Sequence, residues 1–351
     1  MFFRVLIEER EVNEMNLYGQ TLENLEKYFE SIGEKKFKAT QVFEWIYQKR
    51  EEKIENFSNI KKEIRTQLEQ DFKMDIPKII KREIDIDVEK FLFNLSDDEK
   101  IEAVLMRHNY GLSVCVSSQV GCNMGCKFCE SGRLKKVRNL ETYEMVGQIL
   151  AIEKEVKERI SSVVIMGIGE PLDNYENVID FIKIINHPKG IAIGSRHITL
   201  STCGIIPKIK LLSDFPLQIN LAISLHAPND ELRSKIMPIN KAYPLKEVIE
   251  AVKEYSKKTN RRVTIEYILL KNVNDSIAHA HELATLLRGM NAYVNLIPYN
   301  ETNHIEFKKS EKKSIDAFYQ TLQKEKINVT VRREFGSKIS AACGQLRSKE
   351  V

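Results

Sequence analysis

The sequence predicts an α/β fold in which an N-terminal helical domain and a connecting β-hairpin precede a partial (β/α)6 barrel. Three observations support this prediction. Apolar residues recur at helical spacing near the N-terminus, they alternate as in strands over residues 79–107, and strand-like and helix-like runs alternate from about residue 112. The last pattern implies a parallel sheet covered by helices.

The helical domain is predicted to span residues 1–76. Its three amphipathic helices lie in TLENLEKYFESIG, KATQVFEWIYQKR and NIKKEIRTQLEQDF. Pro77 marks the boundary, because proline punctuates secondary structure. Residues 77–110 are predicted to form the connecting hairpin, with REIDIDVEKFLFNL as one strand, SDDEK as the turn and IEAVLMRH as the other strand.

The barrel is predicted to span residues 111–335, and residues 336–351 form a C-terminal tail. Its seven strand-like runs are LSVCVS, SSVVIMG, HITLST, INLAISLH, VTIEYILL, YVNLIPY and NVTVRRE. Their hydrophobic character fits a parallel sheet buried on both faces. Six strand–helix units and a seventh strand are too few to close an eight-fold barrel, so we expect an open barrel.

The composition is typical of a soluble protein with a sizeable core: 42% of the 351 residues are hydrophobic and 30% are charged. No run approaches the roughly 20 apolar residues that span a bilayer. The segment MFFRVLIEER lacks the pattern of a signal peptide. We therefore expect a cytoplasmic protein with no membrane partner. In that compartment its six cysteines are expected to be metal ligands or catalytic thiols.

The charge is unevenly distributed along the chain. Residues 1–75 carry 13 Lys and Arg against 16 Asp and Glu, whereas the remainder carries 41 against 34. The basic clusters KIIKR (78–82) and RLKKVR (133–138) would suit phosphates. On charge alone, a solvated surface accounts for them equally well.

Polar residues stand where the predicted strands end. Function gathers at such exits in parallel α/β barrels. Each residue also has a purely structural explanation. Gly-Glu-Pro could form a turn, Ser-Thr could cap a helix, and the histidine could simply be hydrogen-bonded at the rim of the barrel. The residues at these exits are Gly169, Glu170, Ser201, Thr202, Ser224, His226 and Asn300.

Three cysteines, Cys122, Cys126 and Cys129, follow the first barrel strand within eight residues. A closed structural zinc site needs four ligands, whereas three thiolates on an iron–sulfur cluster leave one iron open to another ligand. The alternative is a zinc site completed by a distant ligand such as Cys115 or Cys203. Cys203 can also be read as a small buried hydrophobe.

The C-x₃-C-x₂-C spacing after a first strand resembles the signature of the radical S-adenosylmethionine superfamily. The resemblance implies a partial barrel of that type, one 4Fe–4S cluster held by the three cysteines, and S-adenosylmethionine bound to the open iron. The GEP stretch resembles the element that meets the methionine amino group. The protein would position the cofactors and exclude water from them.

Further motifs narrow the resemblance to the RlmN/Cfr family of radical adenine methyltransferases. These motifs extend over nearly the whole chain. They are CVSSQVGCNMGCKFC, IEAVLM around Glu102, MGIGEP, LAISLHAPNDELR, MPINKAYP, NLIPYN and SAACGQLR. The resemblance implies cofactor-binding positions at Gly169, Glu170, Ser201, Ser224, Leu225, His226 and Asn300.

The resemblance also implies roles for residues outside the cysteine triplet. Cys343 takes a methyl group from one S-adenosylmethionine, and a second molecule supplies the radical that activates this methyl for addition to an adenine carbon. Cys115 then attacks the sulfur of Cys343, forming a transient disulfide and releasing the methylated base. Glu102 matches the proton acceptor, although a surface hairpin carboxylate is the other reading.

The resemblance implies RNA as substrate and a flavodoxin- or ferredoxin-like protein as reductant, with a monomeric enzyme. We expect methylation of adenine carbon 2 in 23S rRNA and in tRNAs, next to the anticodon. The sister activity methylates carbon 8 of adenine in 23S rRNA and confers antibiotic resistance. Two other classes remain: a zinc-containing RNA-binding protein, and a radical activase of another enzyme, which would not need Cys343.

Overall fold

The computed structural model describes residues 15–332 and 339–346. The N-terminal segment contains the three predicted helices. The first begins after Thr21, whose hydroxyl accepts a hydrogen bond from the backbone N–H of Asn24. The Tyr28 hydroxyl donates to Asp71 at 2.6 Å, which ties the first helix to the third. The helices are α1 (Leu22–Ser31), α2 (Phe37–Tyr47) and α3 (Lys62–Asp71).

The connecting segment has three strands, β1 (Lys78–Asp85), β2 (Val88–Asn94) and β3 (Lys100–His108), paired antiparallel. SDDEK forms the predicted turn, but the prediction of a single strand in REIDIDVEKFLFNL was wrong. A turn at residues 86–87 divides it, and the Asp85 carboxylate accepts from the N–H of Ile86 there. The alternation of apolar and polar residues continues through this turn, so the pattern did not reveal it.

The barrel strands extend the same sheet. The ten-stranded sheet has the order β1-β2-β3-β4-β7-β8-β9-β10-β11-β12, and all pairings from β4 onward are parallel. Strands β5 and β6 form a separate pair. The strands are β4 (Gly111–Cys115), β5 (Gln119–Val120), β6 (Arg138–Asn139), β7 (Ile160–Ile165), β8 (Ile198–Thr202), β9 (Asn220–Ser224), β10 (Val263–Leu269), β11 (Ala292–Pro298) and β12 (Val329–Val331).

Seven helices connect the barrel strands, and the predicted α/β fold with an open barrel is confirmed. No pairing closes the sheet within the described residues. Helix α8 (Leu245–Thr259) buries Leu245, Val248, Ile249 and Val252, because these positions share one face. The helices are α4 (Thr142–Val156), α5 (Tyr175–Asn186), α6 (Ile206–Leu212), α7 (Asp230–Ile236), α8 (Leu245–Thr259), α9 (Ile277–Leu287) and α10 (Lys312–Lys324).

One continuous apolar core joins the helical segment to the barrel. It includes Phe29, Phe43 and Leu68 from the helical segment together with Val163 and Leu221 from the parallel strands. No helix of the described residues has both the length and the apolar character needed to cross a bilayer. The predicted domain boundaries remain predictions. Residues 1–14 of the predicted helical domain, 333–335 of the predicted barrel, and 336–338 and 347–351 of the predicted tail lie outside the described part of the chain.

Candidate active site

Two cavities open where the parallel strands end. The large cavity has a volume of about 150 Å³ and the small cavity about 70 Å³. Eight residues line both, so the cavities share a wall. These residues are Cys129, Ser131, Met166, Gly167, Ile297, Arg332, Cys343 and Gly344.

The three clustered cysteines all line the large cavity. The short β5–β6 pair closes the base of their loop, hereafter the cysteine loop (residues 121–137), and the N–H of Cys122 donates to the carbonyl of Leu134 at 3.2 Å. Burial raises the pKa of the Cys122 thiol to about 12 and also raises the pKa values of Cys126 and Cys129. These buried thiols therefore stay protonated until a cation offsets the cost of ionising them.

The residues around the loop fit an iron–sulfur cluster with one open position. The three cysteines and several polar residues from the strand ends line the same cavity. Phe128 forms part of the wall and meets His226 edge to face, with ring centroids 4.9 Å apart. Within residues 15–332 and 339–346, no three His, Cys, Asp or Glu side chains have the arrangement that a single metal ion requires.

Gly169 and Glu170 line the large cavity beyond the end of β7. A Cβ at Gly169 would lie 2.6 Å from the Cβ of Gln119, and its φ of +108° also favours glycine. The buried Glu170 carboxylate accepts from the N–H groups of Leu172 at 3.0 Å and Cys203 at 2.8 Å. Burial nevertheless raises its pKa. The backbone thus fixes this carboxylate in the cavity wall.

The other predicted cofactor-binding residues are divided between the cavities. Ser201, Ser224 and His226 line the large cavity, and the two serine hydroxyls lie 3.3 Å apart. Asn300 lines the small cavity. Leu225 lines neither cavity; its side chain is fully buried and its carbonyl accepts from the guanidinium of Arg233.

Cys115 and Cys343, which are 228 positions apart in the sequence, both line the small cavity, and Cys343 also lines the large one. Burial raises the pKa of Cys115 to about 12. All six cysteines are free thiols, so the predicted disulfide is not formed in this structure.

Cys343 sits in a tight turn formed by residues 342–345. The N–H of Gln345 donates to the carbonyl of Ala342 at 3.0 Å, and Gly344 has a φ of +82°. This is the pattern of a type II turn, which requires a positive φ at its third residue. The turn is bonded to the cysteine loop, because the N–H of Glu130 donates to the carbonyl of Gly344 at 2.8 Å and the Ser131 hydroxyl donates to the carbonyl of Leu346 at 2.9 Å.

Glu102 lies beside the small cavity without lining it. It is buried on β3, and one carboxylate oxygen lies 3.5 Å from the Lys90 ammonium. Val104, two residues further along the same strand face, lines the small cavity and is paired in register with Cys115. Glu102 is therefore close to the thiol pair along the sheet.

Two charged residues of the cavities were missed from the sequence. Arg332 lines both cavities and is the one Lys or Arg to do so in the described part of the chain. Its pKa is raised, chiefly by the nearby Cys343. Glu266 lines the large cavity and accepts from the Asn295 amide at 2.9 Å. An acid inside the apolar run VTIEYILL was the available signal for Glu266.

Comparisons with known proteins place the chain among RNA-modifying enzymes. The family model "Radical SAM superfamily" matches residues 116–284, and "Ribosomal RNA large subunit methyltransferase N-terminal domain" matches residues 15–74. The chain is 51% identical over 345 residues to the probable dual-specificity RNA methyltransferase RlmN of Enterococcus faecalis. That alignment covers 96% of this chain and 97% of the relative. It is 52% identical over 338 residues to the protein of the same name from Spiroplasma citri, and this alignment covers 95% of this chain and 97% of the relative.

A solved structure agrees with the sequence comparisons. The crystal structure of a radical SAM methyltransferase from Sphaerobacter thermophilus superimposes with a TM-score of 0.89 at 40% identity. The match covers 95% of this chain and 100% of the solved one.

His226 makes the stability of the protein depend on pH. Burial lowers its pKa to about 3, and its Nδ1 accepts from the N–H of Ile268 at 3.0 Å. The unfolded histidine has a pKa near 6.5, so between about pH 6.5 and pH 3 the unfolded state binds more protons. The free energy of unfolding should therefore fall with falling pH in this window, by up to about 1.4 kcal/mol per unit.

His226→Asn should flatten this slope, because asparagine has no group that binds a proton in this pH range. Asparagine also keeps an acceptor and tolerates the φ of 60° at this position. The measurement is urea unfolding at pH 7.5, 6.0 and 5.0, with the exposed His197→Asn as control. Equal slopes for wild type and His226→Asn would contradict the assignment of a neutral, bonded imidazole.

Proposed function

This chain belongs to the RlmN family of radical S-adenosylmethionine RNA methyltransferases, and we propose that it methylates carbon 2 of one adenosine in 23S rRNA and of the adenosine next to the anticodon in tRNAs. One observation supports the proposal most strongly. Cys343 lies in the wall between a cavity that holds three clustered thiols and a cavity that holds Cys115.

We propose that Cys122, Cys126 and Cys129 hold one 4Fe–4S cluster and that S-adenosylmethionine occupies the rest of the large cavity. When bound, this pair supplies a carbon radical, the species needed because the target ring carbon is electrophilic and resists ordinary methyl-cation transfer. Glu170 offers a fixed carboxylate to a cationic amino group, and Ser201 and Ser224 offer hydroxyls. Apolar residues such as Ile268 and Met237 exclude water.

Cys343 would carry the methyl group between the two cavities. Cys343 lines the large cavity, where S-adenosylmethionine is proposed to bind, and the small cavity, which we propose receives the target base. Covalent attachment makes the later addition to adenine an event within one complex, which avoids the entropy cost of bringing two molecules together. Each turnover would consume two S-adenosylmethionine molecules, one as methyl donor and one as radical source.

Cys115 would release the product. Its sulfur attacks the sulfur of Cys343, so the S–S bond forms while the bond between the Cys343 sulfur and the methylene carbon breaks. The electron pair of the broken bond stays with the carbon, which takes up a proton and becomes the methyl group of the product. Because the pKa of Cys115 is about 12, its proton has to leave as the attack occurs. Glu102 is the proposed acceptor of the proton from the adenine carbon, and Lys90 stabilises its carboxylate form.

RNA contacts from the predicted basic clusters are reduced by ion pairs within the protein. Three cations of RLKKVR are paired with carboxylates, as are two of KIIKR. Bulk charge therefore does little of the binding. Recognition would depend on the shape of the RNA and on a flipped-out base that reaches the small cavity.

Iron and sulfide analysis tests the cluster against the zinc alternative. We expect about four iron and four acid-labile sulfide per anaerobically reconstituted chain, and loss of most of both in Cys122→Ala, Cys126→Ala or Cys129→Ala. Cys203→Ala is the matched control and should retain them. Zinc without sulfide, lost on Cys203→Ala, would instead establish the four-cysteine zinc site.

Mass spectrometry of nucleosides tests the reaction. Cells that lack this gene should lose 2-methyladenosine from 23S rRNA and tRNA, and the wild-type gene should restore it. Cys343→Ala should restore none, because the methyl carrier is absent. Appearance of 8-methyladenosine with the gene would move the chain to the sister activity, and restoration by Cys343→Ala would favour a radical activase.

Cys115→Ala should trap the intermediate. Without the resolving thiol, the bond between Cys343 and the RNA persists, so a covalent protein–RNA complex should accumulate on denaturing gels. The double variant Cys115→Ala/Cys343→Ala is the control and should form none. Recovery of free RNA alone from Cys115→Ala, under conditions where wild type turns over, would exclude the resolving role.

A further inference from the structure

We propose that Gln345 is a positioning residue that holds the Cys343 thiol between the two cavities, so that one backbone conformation serves both methyl uptake and disulfide formation. The inference rests on the proposed function, since it assigns those two steps to Cys343. It is drawn from a hydrogen-bond pattern in which the Gln345 side chain bonds once within the turn and once outside it.

Within the turn, Gln345 closes the chain on itself twice. Its backbone N–H donates to the carbonyl of Ala342 at 3.0 Å, and its side-chain Oε1 accepts from the N–H of Ala342 at 3.1 Å. Ala342 and Gln345 are both buried. Removal of the amide would leave the Ala342 N–H buried without a partner, which destabilises this turn relative to other conformations.

Outside the turn, the Gln345 Nε2 donates to the carbonyl of Glu301 at 3.1 Å. Glu301 follows Asn300, the predicted site residue after β11. On its other side the turn is bonded to Glu130 and Ser131 of the cysteine loop. The turn therefore spans two strand exits, and Gln345 supplies the anchor to the β11 side.

The two anchors explain why Cys343 can serve both cavities. Cys343 is the second residue of the turn. It lies between Ala342, which is hydrogen-bonded to Gln345, and Gly344, which precedes Gln345 in the chain. Rotation of the turn toward either anchor would move the thiol out of one cavity. A side chain that bonds to the turn and to the barrel at the same time prevents this rotation.

The experiment compares Gln345→Met, which loses both side-chain bonds at similar size, with Gln345→Glu, which keeps an acceptor for Ala342 but loses the donor to Glu301. Two rates are measured on anaerobically reconstituted holoenzyme. The first is methylation of Cys343 by S-adenosylmethionine without RNA, followed by the mass of its peptide. The second is Cys115–Cys343 disulfide formation with diamide, which takes up the two electrons and two protons of the thiols.

We expect Gln345→Met to slow both rates by 10- to 100-fold and Gln345→Glu to lie between it and wild type. Gln323→Met, on an exposed helix surface, is the matched control and should change neither. Gly344→Ala should slow the same two rates by a different route. The added methyl group meets nothing closer than 3.4 Å, but the φ of +82° disfavours alanine and so destabilises the turn.

Rates within twofold of wild type in Gln345→Met, at unchanged iron content and melting temperature, would overturn the inference. So would equal slowing of a reaction that does not involve Cys343, such as reductive cleavage of S-adenosylmethionine by dithionite. If wild type fails to methylate Cys343, the proposed function fails, and the disulfide rates still decide the role of Gln345.

Discussion

Two hydrogen bonds between the cysteine loop and the turn that carries Cys343 define the active site. The N–H of Glu130 and the hydroxyl of Ser131 donate to carbonyls of Gly344 and Leu346. These bonds tie the turn to the cysteine loop at the wall that the two cavities share. The proposed chemistry needs that wall, since methyl uptake and disulfide formation use the same sulfur atom.

The site is a concentration of buried ionisable groups. Burial raises the pKa values of the three loop thiols, of Cys115, and of Glu170 and Glu266. Burial favours the neutral form of each of these groups, so ionising them inside the folded protein costs free energy. An iron–sulfur cluster and a sulfonium cofactor supply the positive charge that recovers part of this cost, and cofactor binding should therefore be coupled to ionisation of the thiols.

Periodicity and spacing predicted the open barrel, its strand exits and the cysteine triplet, because these features are local in sequence. The turn at residues 86–87 was missed because alternation continues through it. Leu225 was assigned to the cofactor site with its neighbours, but its side chain points into the core. The charge of Arg332 and the bonds of Gln345 act between strand exits far apart in the chain, and no local pattern encodes which exits meet.

The strand order of the sheet has a consequence for how the protein is made. Strands pair in chain order from β1 to β12, apart from the separate β5–β6 pair, so the barrel can be built progressively during synthesis. The hydrogen bond between Ser131 and Leu346 cannot form progressively in this way, because it joins residues 215 positions apart in the chain. The three loop cysteines are thus synthesised more than 200 residues before Cys343, the proposed methyl acceptor.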